Sequence, residues 1–200
     1  MIDLNSQKFI LASSSPRRLK LLQQIGIDPE VIHPITNETE FNTRIAVDRI
    51  MALSRLKANA VADKVDEGII IGADTVVTID EEILGKPSNS EDAQSMLHKL
   101  SGNQHKVLTA FCLQNASNGQ TVTELEETSV IFRRLTEEEI RSYILKEQPF
   151  DKAGSYGIQD SGALFVDRIE GCYNNIVGFP LTRFYKVISD PRTTEKLKLT

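Results

Sequence analysis

The sequence lacks the features that mark membrane-bound, secreted and zinc-binding proteins. No apolar run approaches the ~20 residues needed to cross a bilayer, and residues 1–5 lack the basic and apolar regions of a signal peptide. The two cysteines, Cys112 and Cys172, lie far apart without a CxxC pattern, so neither a disulfide framework nor a zinc site is indicated. We therefore expect a cytoplasmic protein with no membrane partner.

An excess of positive charge is also missing. The chain has 200 residues, with 23 Lys and Arg against 28 Asp and Glu, which gives a formal net charge of −5. Because a nucleic-acid surface needs clustered positive charge, we expect no nucleic-acid partner, and any phosphate chemistry has to be local. The three histidines, His33, His98 and His105, are too scattered for a catalytic triad or metal cluster. The P-loop, dinucleotide-binding, HExxH and GxSxG motifs do not occur.

The length and an apolar content of 40% predict one α/β domain over residues 1–200. β-Branched and alternating apolar runs predict the strands. These are residues 9–12, 30–35, 69–79, 105–114, 121–132 and 164–169, of which 105–114 and 121–132 form a hairpin. The predicted helices begin at Pro16, near Val47, at capping boxes Ser88/Glu91 and Thr136/Glu139, and near Pro180.

Residues 9–18 form the most informative stretch, because an apolar strand ends in three hydroxyls and two guanidiniums where a helix starts. Ser15 is a good N-cap, Pro16 fits the first helical position, and Gly26 offers a stop. The unpaired amides of the helix start favour a phosphate, and Arg17 and Arg18 add bidentate donors. A capped surface helix with solvated arginines is the alternative.

Asp74 is the strongest single candidate for chemistry, because it breaks an almost continuously apolar strand. A carboxylate there is costly unless it binds a metal, a cation or a proton to be moved. The alternative is that Asp74 caps a turn or pairs with a structural arginine. Thr75 is expected on the opposite face of the strand, unless Gly72 marks a bulge that changes this.

Two lysines and one loop complete the set of candidates. Lys86 lies between a glycine and a proline, a sequence that by itself indicates an ordinary turn. Lys57 lies on an apolar helix face, and in the simplest case we expect its side chain to snorkel, with the ammonium group reaching solvent. Residues 148–162 form a glycine-punctuated loop with Lys152 suited to phosphate and Gln159 suited to an amide-like base edge. A flexible surface loop would explain these glycines equally well.

Several short motifs follow one another along the chain in a specific order. They are L-A-S-S-S-P-R-R at 11–18, K-A at 57–58, G-A-D-T at 72–75, G-K-P at 85–87, L-S-G at 100–102, D-K-A-G-S-Y-G-I-Q at 151–159 and G-C-Y-N-N-I-V-G-F-P-L at 171–181. Together they resemble the Maf family of nucleoside triphosphate pyrophosphatases, which is related in fold to the inosine triphosphatases. The Lys-Ala-Gly-x-Tyr-x-Ile-Gln form of the loop is similar to the branch that acts on dTTP and UTP.

This resemblance implies a mixed, twisted β-sheet flanked by helices, an inosine triphosphatase-like fold with a cleft between two lobes. It also implies roles for individual residues. The proton acceptor would be Asp74, which with Glu38 would also hold a divalent metal, Mg²⁺ or Mn²⁺. Base specificity would be set by Arg17, Thr75 and Gln159. The residues that contact phosphates or frame the site would be Ser13, Arg18, Lys57, Lys86 and Lys152.

The implied reaction is hydrolysis of dTTP and UTP, with modified pyrimidine triphosphates as further candidates, to the nucleoside monophosphate and pyrophosphate. The alternative is a nucleotide-sensing interaction protein that inhibits septum formation in cell division. Nucleoside triphosphates are the expected ligands, and a homodimer is compatible with the sequence. Rejection of cytosine would require that neighbouring residues hold the Gln159 amide in one orientation.

Overall fold

The computed structural model describes residues 7–37 and 45–199, which form one mixed β-sheet with helices packed on both faces. Within these residues the strands are β1 (Phe9–Ala12), β2 (Glu30–Val31), β3 (Ile69–Ile79), β4 (Glu82–Leu84), β5 (Gln104–Asn115), β6 (Thr121–Phe132) and β7 (Val166–Glu170). The helices are α1 (Pro16–Gln24), α2 (Ala46–Ala62), α3 (Ser90–Leu100), α4 (Glu137–Glu147), α5 (Tyr173–Val177), α6 (Leu181–Ile188) and α7 (Pro191–Leu197). No helix in these ranges is long and apolar enough to cross a bilayer.

The order of the strands leaves part of β3 uncovered. The sheet runs β2-β1-β3-β5-β6-β7, with β1, β2 and β3 parallel and the other pairs antiparallel. β5 covers one side of β3 from Ile69 to Thr78. On the other side β1 stops at the pair Ala12–Gly72, and β4 begins only at the pair Val77–Leu84. Residues 73–76 of β3 therefore form an open edge in the described part of the sheet.

Successive side chains of β3 and β5 point to opposite faces of the sheet, so the two faces pack against different helices. On one face α2 covers two small apolar clusters, in which Ala58 packs near Ile70 and Ile50 packs near Val76. The opposite face carries two larger cores at the two ends of the long strands. One is built with α1, α6 and α7, and the other with α3, α4 and β4. The expected mixed sheet with two lobes is thus confirmed.

Most predicted elements are present, with differences at their ends. The strands at 9–12, 69–79 and 121–132 and the Thr136/Glu139 capping box are confirmed. The predicted strand at 30–35 pairs over only two residues, and two helices, α6 and α7, follow Pro180 where one was expected.

The predicted Ser88/Glu91 capping box is wrong. α3 is capped by Asn89, whose side-chain oxygen accepts from the Asp92 amide at 2.8 Å. The Asp92 carboxylate in turn accepts from the backbone and hydroxyl of Ser88. Ser88 therefore supports the turn before the helix and does not cap it.

Gly72 allows α2 to lie directly on β3. A Cβ atom at this position would overlap the carbonyl oxygen of Ser54 and lie 2.6 Å from the backbone nitrogen of Ala58. Both atoms belong to the backbone of α2 and cannot move aside as a side chain could. The absence of a side chain at position 72 thus sets the distance between the helix and the strand.

Gly72→Ala should lower the free energy of unfolding by about 1–3 kcal/mol, because the added methyl group forces α2 away from β3. Gly85→Ala is the matched control, since a Cβ there meets nothing within 4 Å. Urea denaturation of both variants measures the difference. Equal stability of the two would show that the close approach at Gly72 is not a constraint.

Candidate active site

The open edge of β3 forms the floor of a cleft of about 410 Å³. The cleft is bounded by the start of α1, by α2, by the turn after β4 and by the loop at 151–159. The structure brings together every predicted site residue that it describes. These are Ser13, Arg17, Arg18, Lys57, Asp74, Thr75, Lys86, Lys152 and Gln159, whereas Glu38 lies outside the described residues.

Asp74 and Thr75 lie on opposite faces of β3 and nevertheless line the same cleft. The pairing of β3 with β5 runs from Ile69 to Thr78 without a register shift, so the alternative of a bulge at Gly72 is wrong. Both side chains reach the cleft because no described strand covers this edge of β3. One cleft can therefore draw on side chains from both faces of the sheet.

Asp74 forms an ion pair with Lys57 at the floor of the cleft. Lys57 Nζ lies 2.6 Å from Asp74 Oδ1, and only 12% of the lysine and 14% of the aspartate side chain is exposed. The expectation that Lys57 snorkels to solvent is therefore wrong, as are the turn-capping and arginine-pairing alternatives for Asp74. Removing one partner would leave the other charge poorly solvated, which is costly in a buried pair.

The start of α1 is organised by Ser13 and not by a serine cap. Ser15 occupies the N-cap position without a side-chain cap bond, and its amide donates to Ser13 Oγ at 3.1 Å. Arg18 is 9% exposed and donates to Gly178 O at 2.9 Å, to Thr75 Oγ1 at 3.1 Å and to Ser13 Oγ at 3.2 Å. The alternative of a solvated arginine is wrong for Arg18. Its contact with phosphate stays a prediction.

A buried chain of hydroxyls and one amide continues from Arg18 beneath the cleft. Thr109 Oγ1 donates to the carbonyl oxygen of Asn175 at 3.2 Å, so its 2.9 Å hydrogen bond with Thr75 has Thr75 as the donor. The Asn175 amide donates to Val107 O and to Thr128 Oγ1, each at 2.9 Å. This network joins β3, β5, β6 and α5, and sequence reasoning did not identify Thr109 or Asn175.

Asp151 links two cations at the mouth of the cleft. Its carboxylate accepts from Arg17 Nη1 at 2.9 Å and from Lys152 Nζ at 2.8 Å. Burial alone would raise the pKa of Asp151, but the hydrogen bonds from Lys152 and Arg17 outweigh burial and lower that pKa below its ordinary value. Since the carboxylate is more than half exposed, these pairs are weak enough for a ligand to rearrange them.

The loop that presents Gln159 is held by its backbone. The Tyr143 hydroxyl on α4 accepts from the Gly157 amide at 3.0 Å and donates to Asp160 Oδ1 at 3.1 Å. Ile158 is buried in the core that contains α1 and α6. Gln159 itself is exposed, and no hydrogen bond to its amide is found among the described residues. The structure thus fixes the position of Gln159 without fixing the orientation of its amide.

Two further cations line the cleft. Lys86, after β4, is exposed and makes no ion pair within the described ranges. The second is Arg49 on α2. The sequence did not identify it, because an arginine on a helix is usually a solvated surface residue. The only signal in the sequence is its spacing of eight residues from Lys57, which places both on one face of the helix.

The family model described as Maf-like protein matches residues 8–190. The chain belongs to the Maf family. It is 46% identical to the dTTP/UTP pyrophosphatase of Carboxydothermus hydrogenoformans over 92% of this chain and 98% of that protein. It is 48% identical to the dTTP/UTP pyrophosphatase of Ruminiclostridium cellulolyticum, over 88% of this chain and 92% of that one.

A solved structure with weaker similarity is that of the Staphylococcus aureus Ham1 protein. It covers 63% of this Maf protein and 72% of its own chain, with 14% sequence identity and a TM-score of 0.46. Similarity at this level bears on neither the fold nor the activity.

Behind the cleft of this Maf protein lies a buried aromatic cluster. Tyr156 lines the cleft, and its hydroxyl lies 2.9 Å from Nε2 of His105. The rings of His105 and Tyr156 both pack edge-on against Phe132. Burial lowers the pKa of His105 from its ordinary value to about 4, so the imidazole is neutral near neutral pH. His105 supports the wall of the cleft and does not face its interior.

The lowered pKa of His105 makes stability depend on pH. Below pH 6.5 the unfolded chain binds a proton that the folded protein does not accept until about pH 4, so the folded state loses stability as the pH falls through this interval. The loss attributable to His105 should reach roughly 3 kcal/mol by pH 4. Urea denaturation between pH 7 and 4 should show a steeper decline for the parent than for His105→Gln. Parallel curves would contradict this prediction.

Proposed function

We propose that this Maf protein hydrolyses dTTP and UTP between the α- and β-phosphorus atoms, giving the nucleoside monophosphate and pyrophosphate. The observation that carries the proposal is the Lys57–Asp74 pair on the floor of a cleft otherwise rich in cations. Relatives described as dTTP/UTP pyrophosphatases, 46–48% identical over about nine-tenths of the chain, support the choice of substrates.

A divalent cation, Mg²⁺ or Mn²⁺, is part of the proposal. No group of three or more potential metal ligands exists among the described residues, which disfavours a metal cage built by those residues alone. Mg²⁺ is commonly held by one or two carboxylates together with substrate phosphates and water. Asp74 fits such a donor set, because only Oδ1 pairs with Lys57 in the described structure. Glu38 remains a second predicted ligand. The bound cation would neutralise charge on the phosphate oxygens.

In the proposed mechanism, Asp74 orients and deprotonates the water that attacks the α-phosphorus. Lys57 holds the carboxylate in place through the 2.6 Å contact and, as a cation on the cleft floor, would offset negative charge on the reacting phosphate. Lys86, which is exposed at the cleft, contributes a second cation. The amides at the start of α1 supply neutral donors to phosphate oxygens.

Gln159, Arg17 and Thr75 are the residues proposed to select the base. The Gln159 amide can match the adjacent O4 acceptor and N3–H donor of uracil or thymine. Because no described residue holds this amide, its orientation would be set when the base binds. The Arg17 guanidinium has only hydrogen-bond donors, so it cannot exchange donor and acceptor by rotating as an amide can. It therefore favours the O4 acceptor of uracil or thymine over the amino group of cytosine.

The relatives described as dTTP/UTP pyrophosphatases favour turnover over a nucleotide sensor that acts in cell division. Asp74 on the cleft floor also offers a carboxylate that can accept a proton from an attacking water, and a sensor has no need of such a group. Pyrophosphate release from dTTP and UTP with Mg²⁺ tests the proposal directly. Tight binding of dTTP without release of pyrophosphate would contradict hydrolysis and support the sensor.

Asp74→Asn should lower kcat for dTTP by about 10²–10⁴-fold, because the amide conserves the shape of the side chain but cannot accept a proton. Binding of a non-hydrolysable dTTP analogue should persist. Steady-state kinetics at saturating Mg²⁺ measure kcat, and a thermal melt controls for loss of the ion pair with Lys57. Turnover within a few-fold of the parent would show that Asp74 is not the base.

Gln159→Glu should reduce kcat/KM for dTTP and UTP more than for GTP, because it removes the amide donor and adds a negative charge. The parent and the variant are compared on dTTP, UTP, CTP and GTP. Gln148→Glu offers a matched control in the same loop region, since Gln148 does not line the cleft. If the ratios among the four substrates stay the same, Gln159 does not read the base.

A further inference from the structure

Arg49 has an unsatisfied donor beside the cleft. Its Nε atom is buried, and no hydrogen-bond partner for it exists among the described residues. The side chain lines the cleft, and the described structure shows no ion pair with it. A guanidinium stays charged at all physiological pH values, and a buried polar group without a partner is unfavourable. Arg49 therefore presents to the cleft a cation whose Nε donor has no partner in the described part of the chain.

The packing of α2 shows where Arg49 lies along β3. Near the carboxyl end of α2, Ala58 lies against Gly72 and Lys57 reaches Asp74. Towards the start of the helix, Ile50 packs with Val76. Arg49 therefore lies towards the β4 end of the open edge, roughly 12 Å along the helix axis from Lys57, since each residue advances the helix by 1.5 Å.

The two faces of the sheet separate the part of the cleft near Arg49 from the part near Gln159. Asp74 and Val76 point towards α2, and Arg49 shares that side. Thr75 points to the opposite face, where it bonds with Arg18 and Thr109, and Ile158 beside Gln159 is buried in the core on that same face. Arg49 is thus placed on the same side of the sheet as Lys57 and Asp74, which are proposed to act at the α-phosphorus, and on the side opposite Thr75.

We propose that Arg49 binds the β- and γ-phosphates of the nucleotide and so completes a subsite for the terminal polyphosphate. This inference rests on the proposed function, in which the Lys57–Asp74 pair marks the reacting α-phosphorus. Arg49 lies further along the same face, so in this proposal the pyrophosphate part of the substrate extends from the Lys57–Asp74 pair towards Arg49. Its planar fork can donate two parallel hydrogen bonds to phosphate oxygens.

The test compares Arg49→Gln with Arg55→Gln on the same helix. Arg55 Nε donates to Thr123 Oγ1, and Arg55 does not line the cleft. Isothermal titration calorimetry measures the affinity for an α,β-methylene analogue of dTTP and for dTMP. Comparing the two affinities isolates the contribution of the terminal phosphates, and the measurement needs no turnover. For Arg49→Gln we expect a roughly 10- to 100-fold weaker affinity for the analogue and an unchanged affinity for dTMP. Arg55→Gln should leave both affinities unchanged.

Two outcomes would overturn this assignment. An unchanged affinity of Arg49→Gln for the analogue would show that Arg49 does not contact the terminal phosphates. An equal loss of affinity for the analogue and for dTMP would show that Arg49 supports the cleft as a whole and does not bind the terminal phosphates specifically. Pyrophosphate release by the parent, measured separately, decides the proposed function, so failure of the hydrolysis proposal is distinguishable from failure of the Arg49 subsite.

Discussion

α2 lies against β3 with no side chain between them at position 72, and the geometry of the site depends on this approach. The backbone of Ser54 and Ala58 occupies the space that a Cβ atom of residue 72 would need. At this separation Lys57 reaches Asp74 across the helix–strand interface. A wider separation would leave an ammonium and a carboxylate poorly solvated and unpaired, which is strongly unfavourable. A packing constraint in the apolar layer thus fixes a charged pair.

The strands were predictable where local sequence and tertiary packing agree. β3 is an almost continuous run of apolar and β-branched residues that is largely buried on both faces, and this pattern identified its ends correctly. The ends of other elements depend on contacts that a local pattern does not contain. Ser88 and Asn89 are both good N-caps by type, and the choice between them is decided by the carboxylate of Asp92, which binds the backbone at Ser88.

The residues of the cleft were predictable by chemical type, but their partners were not. Asp74 could be identified because a carboxylate is conspicuous in an apolar strand. Its pairing with Lys57, and the bonds from Arg18 to Thr75 and Gly178, join positions far apart in the chain and require the folded geometry. Arg49 has no such conspicuous context. A cation on a helix is common, and only the packing of α2 shows that this one borders the cleft.

The hydrogen-bonded chain from Arg18 through Thr75 and Thr109 to Asn175 orders the layer beneath the cleft through bonds within the protein itself. Its side chains have little rotational freedom left to lose when a ligand arrives. Lys86 and Gln159, which are exposed and lack such bonds in the described structure, would be immobilised only on binding, at about 0.5–1.5 kcal/mol for each side chain. The conformational entropy of binding is therefore distributed unevenly, with most of the loss at the rim of the cleft.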